Sequence, residues 1–453
     1  MRNLWIIALL AISISSPAAE KTATDTANTN IMLVDLPTVL RLAGAQNLDV
    51  QIARQRVAEA RANRESSTWQ FFPSISPGVS YRRHDNLIQD VNGQIMDVHK
   101  EAYTVGPSLD GQVELGDAIY NNLAARQLEK ASDHALETQR QESLVAAAQG
   151  YFDLTKARAA VLVARESVNI STNYTGQVRH ALDAGLAFKG DLLRVQVQSE
   201  RDLLALQQAE EQAKIASARL IQTLHLEGNL ELVPDEAEPI RIQLFPTELA
   251  LDSLVSQAMA HRPELKQRQA LAEAARDSKN GALYGPIIPN LGAQVFAGGL
   301  GGGIDNGAKT FGASEDYTLT LGWRIGPGGL FDRGRIKATQ SRLRVADLAT
   351  AKQRDEITRQ VVESLTRVRS LSNQVMTTQR TIQEAQETLE LSQQRKEFAV
   401  GVVLEVIQAE QELTQARLDY LKAVSEFNTA QYELAKAVGD ITESQSFSRG
   451  NSP

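Results

Sequence analysis

The sequence predicts an α+β fold built from two copies of one unit: a helix leads into a β-hairpin, and the hairpin into a pair of long helices. Three observations carry this. Prolines confine long helices to two stretches, short motifs recur at a nearly constant offset, and apolar periodicity changes from two to seven within each copy.

The chain begins with a short basic start at Met1–Asn3 and an apolar run from Leu4 to Ile12, and small residues gather from Ser16 to Ala19. That layout is a cleaved secretory signal, expected over residues 1–18, because the run falls short of the ~18–20 apolar residues needed to span a bilayer. Residues 19–30 are polar and Thr-rich and read as a flexible leader. The first repeat is assigned to 31–228, a Pro- and Glu-containing linker to 229–246, the second repeat to 247–440 and a tail to 441–453.

Four anchors align the copies. Leu36–Ala43 faces Leu251–Ala258, and Pro73-Ser74-Ile75 faces Pro289-Asn290-Leu291. Leu115-Gly116-Asp117 faces Leu330-Phe331-Asp332, and Ala184-Gly185-Leu186 faces Val400-Gly401-Val402. Each copy opens with one helix, carrying Val39, Leu42 and Ala43 or Leu254, Ala258 and Met259 at helical spacing. Strands follow. Tyr317, Leu319, Leu321, Trp323 and Ile325 alternate with Thr318, Thr320, Gly322 and Arg324, as on a strand with one apolar and one polar face. Tyr103, Val105, Leu109 and Val113 repeat the pattern against Thr104, Gly106, Ser108 and Gln112. Partner strands are expected near Ile75–Arg83 and Leu291–Gly298, with the polar segments His84–Glu101 and Gly299–Asp316 as long loops. That makes four strands.

No proline lies between Pro107 and Pro234 or between Pro327 and Pro453, and both stretches are rich in helix formers. Val361, Val368, Val375, Ile382 and Leu389 recur every seven residues, a stripe that keeps facing a neighbouring helix. Helices are therefore expected from Asp117 to Leu182 and from Phe331 to Phe398, each followed by a tight turn and a returning helix, Asp191–Leu226 or Glu405–Val438.

Composition removes several function classes. A net charge of −8 argues against nucleic acid, which requires a surplus of Lys and Arg. With no cysteine there is no disulfide, thiolate metal site, Cys nucleophile or lipidated N-terminal cysteine. The glycine run Gly298–Gly303 lacks dinucleotide-binding spacing. Gly329 and Gly334 have phosphate-loop spacing, but Arg335-Ile336 replaces the required Lys-Ser/Thr. The six histidines are scattered. No catalytic residue, cofactor or metal site is expected, and the chain does not read as an enzyme.

Four amphipathic strands cannot close a barrel, so if they enter a membrane the chain must oligomerise. Aromatics near the strands, including Trp69, Tyr81, Tyr103 and Tyr317, suit a membrane girdle and a soluble β core equally well on composition alone.

The duplicated order, the signal, the motif Gly-Gly-Leu-Phe-Asp-Arg-Gly-Arg (328–335), and the turns pairing Gly185 with Asp191-Leu192-Leu193 and Gly401 with Glu405-Val406-Ile407 together resemble the TolC-like outer membrane efflux protein family. The resemblance spans nearly the whole mature chain. It implies an α+β membrane protein of the Gram-negative outer membrane that extends into the periplasm. It implies a homotrimer with a 12-stranded β-barrel and a 12-helix α-barrel, seated in outer membrane lipid. It further implies passive conduction for an inner membrane pump of RND or ABC type through a periplasmic adaptor. Ala184, Gly185, Leu186, Val400, Gly401 and Val402 then match the periplasmic tip that meets the adaptor. Glu405 and Gln408, three apart on one helix face, match the channel constriction together with Asp191. Gln408 is neutral, so one of two implied acidic rings is missing. Tyr317, Leu319, Leu321 and Trp323 match a membrane-facing strand. Efflux and type I protein secretion both fit, and a soluble periplasmic helical-hairpin adaptor is the alternative from another class.

Overall fold

The computed structural model describes residues 30–72, 74–246, 248–304, 310–397 and 403–441. The export signal, the leader before Asn30, Val400, Gly401, Val402 and the tail beyond Ile441 lie outside them.

The first copy runs β1 (Asn30–Val34), α1 (Leu36–Gln46), α2 (Leu48–Trp69), β2 (Ser74–Gln89), β3 (Ile95–Val113), α3 (Leu115–Asp183) and α4 (Lys189–Leu224). After β4 (Leu230–Pro234), the second runs α5 (Leu251–His261), α6 (Pro263–Tyr284), β5 (Asn290–Ile304), β6 (Thr310–Gly322), α7 (Arg333–Glu397) and α8 (Val403–Val438). The two copies thus share helix–hairpin–long-helix-pair order, and α3, at 69 residues, extends roughly 100 Å at helical rise. Among the described residues no helix is long and apolar enough to cross a membrane.

The single helix expected ahead of each hairpin is two helices. Asn47 breaks the first pair: its side-chain oxygen caps α2 at Asp49 N (2.8 Å), and its amide donates to Thr223 O on α4 (3.0 Å). In copy two the break falls at Arg262, because the residue before a proline is pushed out of the helical region. Arg262 is buried there, with its guanidinium on Glu264, Gln360 and Ala437 O. Two strands were not expected. β1 and β4 pair in parallel, and the linker after β4 lies on α8, where buried Asn428 and Gln431 bond the backbone at Ile240, Ile242, Leu244 and Phe245.

The loops between strand partners are shorter than the polar segments suggested. β2 and β3 stay paired up to Gln89–Ile95, and β5 and β6 up to Gly302–Thr310. The strands continue through His84–Glu101 because backbone pairing tolerates polar side chains wherever a face meets water.

Three apolar clusters hold the molecule together. One joins α1, α3 and α4 around Leu36, Leu144, Phe152 and Leu220. A second joins α5, α7 and α8 around Leu254, Phe427 and the stripe Val361, Val368 and Val375. The third, distant from the strands, joins α3 and α4 to α7 and α8 through Val178, Val195, Leu389, Val406 and Ile407. The seven-residue stripe is therefore a helix-pair seam.

Candidate functional site

The four long strands form one antiparallel sheet in the order β2-β3-β5-β6. Register aligns side chains in rows across it: Val79–Val105–Gly299–Ala313, Leu109–Val295–Tyr317, Gly111–Ala293–Leu319 and Val113–Leu291–Leu321. Each of these rows is apolar or small. The intervening rows, Asp110–Gln294–Thr318 and Gln112–Gly292–Thr320, are polar and line a hollow on the opposite face. Among the described residues nothing covers the apolar face: Val79, Tyr317, Leu319 and Leu321 are 75%, 70%, 75% and 64% exposed. A soluble β core would bury them, so these residues require another apolar medium.

The apolar face has a definite extent along the strands. At one end, Tyr81, Tyr103 and Phe311 share a row with Gly301. Tyr103 and Phe311 stack at 6.0 Å over the space left by the glycine, where a Cβ would meet the Tyr103 ring at 2.3 Å. Beyond that row the same face turns charged, with Arg83 on Asp85 (2.8 Å) and Glu101 (3.4 Å), and His99 on Asp85 (3.0 Å). Leu291 begins the band and Gly301 closes it, ten residues along β5. At ~3.3 Å per residue and ~40° tilt, that is about 25 Å, the height of an outer-membrane apolar band. Glu315 interrupts the band, and the Tyr317 hydroxyl donates to it at 3.0 Å.

Trp323 is a correction to the strand assignment. β6 ends at Gly322, whose partner Asn290 is the first residue of β5, so no neighbour remains for Trp323 or Ile325 to pair with in the sheet. Trp323 instead donates its indole N–H to Ile287 O at 3.0 Å. Phe311 is a member of the aromatic row that sequence reasoning misses; its signal is that Phe311 and Ala313 keep the odd-numbered phase of Tyr317 and Leu319.

Where strands pass into helices, the 328–335 motif acts as a clamp. Asp332 caps α7, accepting from Arg335 N and Gly328 N at 2.9 Å each. The Arg335 guanidinium bonds Asp117 at the start of α3 (2.6 Å), and Arg324 pairs with Glu114. Gly116 lies so close to Gly285 that a Cβ would stand 2.0 Å from the Gly285 carbonyl oxygen. The motif thus ties copy one to copy two at the strand–helix boundary.

At the far end, α3 closes in a Schellman motif. Leu186 N donates to Ala181 O (2.7 Å) and Gly185 N to Leu182 O (2.9 Å), with Gly185 at φ +74°. A Cβ on Gly185 would meet nothing within 4 Å, so only backbone conformation selects glycine from inside the chain. The turn after Ala184 leaves Leu186 and Phe188 84% and 81% exposed.

Glu405 lies in the first turn of α8 and pairs with Arg395 of α7 at 3.6 Å. Gln408, one turn on, is exposed, and both lie off the side that buries Val406, Ile407 and Ala409. Asp191 pairs separately, with Arg194 at 3.6 Å. Within one chain, then, each of these acids has its own arginine.

Comparison with known proteins follows the same outline. The chain matches the family described as outer membrane efflux protein over residues 39–224 and 254–440. It is 21% identical over 348 residues to the outer membrane efflux protein BepC of Brucella suis biovar 1 (strain 1330), covering 76% of this chain and 73% of that protein. A membrane protein from Pseudomonas aeruginosa superposes with a TM-score of 0.75 at 18% identity, over 93% of this chain and 96% of that one. The Campylobacter jejuni CmeC outer membrane channel gives 0.73 at 15% identity, over 96% and 95%.

Proposed function

The chain belongs to the outer membrane efflux protein family, and on that premise we propose that three copies join edge to edge, β6 of one to β2 of the next, into a twelve-stranded barrel. The barrel continues into a tunnel walled by the long helices. The observation that carries this is the sheet itself: an apolar face with no cover, and two long outer edges that pair with nothing among the described residues. Open edges are not tolerated in lipid, and closure by further copies removes them. A soluble periplasmic adaptor would leave that face in water.

The channel conducts passively from periplasm to exterior. Energy comes from an inner membrane pump of RND or ABC type, coupled through a periplasmic adaptor that meets the turn at Ala184–Leu186 and its counterpart at Val400–Val402. Efflux is favoured over protein secretion because BepC is named as an efflux protein. Protein purified from the outer membrane should run as a heat-modifiable trimer and give discrete conductance steps in planar bilayers; a monomer without conductance overturns the assignment.

Glu405, with Asp191 nearby in the family pattern, forms the acidic constriction, with Arg395 holding Glu405 in place. Threefold repetition makes Glu405 a ring that favours cations. Glu405→Gln is expected to lower the cation-to-anion permeability ratio severalfold, read from reversal potentials in a salt gradient. An unchanged ratio removes Glu405 from the lumen.

A further inference from the structure

In the third cluster, where both long-helix pairs meet, a carboxylate interrupts an apolar helix face. Glu410 of α8 follows Val406, Ile407 and Ala409, precedes Leu413 at core spacing, and is only 3% exposed. Its Oε1 is buried without a hydrogen-bond partner, as is Oδ2 of Asp202 on α4. The two acids lie on neighbouring helices, near enough for the charge of Asp202 to act on Glu410. Gln411, next to Glu410, donates to Gln198 Oε1 at 2.7 Å, and Gln198, one turn before Asp202, donates to Asp202 Oδ1 at 2.8 Å. A chain of hydrogen bonds therefore crosses from α8, starting one residue away from Glu410, to α4, where it ends on Asp202.

Among the described residues, no Lys or Arg forms an ion pair with either acid. From α3, they are faced by Tyr174, which feels both Asp191 and Glu410, and by Ser171, whose hydroxyl lies 3.3 Å from Val168 O and also bonds Asp202. On α8 and the helices beside it, the flanking arginines are engaged elsewhere: Arg395 with Glu405 at 3.6 Å, and Arg417 with Glu166 at 2.6 Å. On α4, Arg194 is held by Asp191 at 3.6 Å. A buried carboxylate and a half-buried one on the facing helix, with no cation bonded to either, cannot both ionise at ordinary cost.

We propose that Asp202 and Glu410 share a proton that fastens α4 to α8, making the helical end of the channel a proton-operated latch, shut in mildly acidic surroundings and loosened as pH rises. This rests on the channel reading above. Burial and the neighbouring Asp202 push the Glu410 carboxyl up to about 7, and burial likewise raises Asp202. The sign follows from linkage. Shut, the pair is dry and binds a proton up to near neutrality; parted, both acids reach water and return to ordinary carboxylate acidity. The parted state thus binds fewer protons. The shut state carries no penalty below about pH 4.5, loses stability as pH rises, and bears the full penalty above about pH 7.

The test is open probability in planar bilayers from pH 5 to pH 8.5. Wild type is expected to open more than about tenfold more often at the alkaline end. Glu410→Gln, which keeps the size and removes the charge, should stay at its acid-end value throughout. Because the chain has no native cysteine, Gln198→Cys with Gln411→Cys provides an independent arm: the oxidised pair should hold the channel shut at every pH, and reductant should restore the pH response. Identical pH profiles for wild type and Glu410→Gln, or an oxidised cysteine pair that still opens, overturn the latch. Absence of conductance from wild type at any pH overturns the channel reading instead.

Discussion

Leu109→Arg is expected to abolish assembly of the barrel, while Ser108→Arg, one residue away, leaves it intact. Leu109 sits in the row Leu109–Val295–Tyr317 near mid-height of the apolar band, on a strand with neighbours on both sides. An arginine facing lipid at that depth costs about 2–4 kcal/mol. Three copies per barrel raise this to roughly 6–12 kcal/mol, as large as the whole stability of many folded proteins, about 5–15 kcal/mol. Ser108 points to the polar face, where an added charge meets water. The readout is the fraction of protein recovered as trimer from outer membranes. Comparable yields from the two variants contradict the assigned facing of the sheet.

Gly185→Glu is expected to leave the trimer and its conductance intact while abolishing export. The substitution places a side chain in open space, so its internal cost is the left-handed backbone, about 1–2 kcal/mol at one residue. That cannot unfold a 69-residue helix packed along its length. Its external effect is larger, since a charge now stands beside exposed Leu186 and Phe188, the apolar surface at which docking is proposed. Gly185→Asn separates the two effects, because asparagine accepts the left-handed region without adding charge. It should keep most export, measured as dye accumulation in cells that depend on this channel. Gly401→Glu should behave like Gly185→Glu. A Gly185→Glu trimer that exports at the wild-type rate removes the turn from docking.

Where the sequence carried a period, the fold was legible. Alternation from Tyr317 to Leu321 and the seven-residue stripe from Val361 to Leu389 each describe a face that meets a single environment, and one face in one environment leaves a repeating trace. Proline placement bounded the long helices closely because a proline inside a helix is too costly to hide. Other features lacked such a trace. The breaks at Asn47 and Arg262 are single-residue events whose cues, a side-chain cap and a following proline, are local. β1 and β4 are 5 residues each and pair across most of the first copy, a contact that no local pattern announces.

The site divides the same way. Leu319 and Leu321 stood out because their face is uniform, whereas the strand's end before Trp323 depends on where β5 begins. The turn at Gly185 was marked by its glycine. Glu405 and Asp191 came from resemblance, and their arginine partners Arg395 and Arg194 did not, since charges along exposed helix faces repeat without distinguishing one pair from another. Glu410 was readable in principle as an acid at core spacing between Ile407 and Leu413; its companion Asp202 sits on a helix far away in sequence, and only the packing brings the two together.

Assembly of the barrel depends on which side of the sheet meets lipid. Single cysteines at positions 317 to 321, each carrying a bimane fluorophore, can be placed in vesicles containing nitroxide-labelled lipid, with no native cysteine to remove. Strong quenching at 317, 319 and 321 with weak quenching at 318 and 320 is the result predicted. Uniform quenching along the strand, or the opposite alternation, contradicts it.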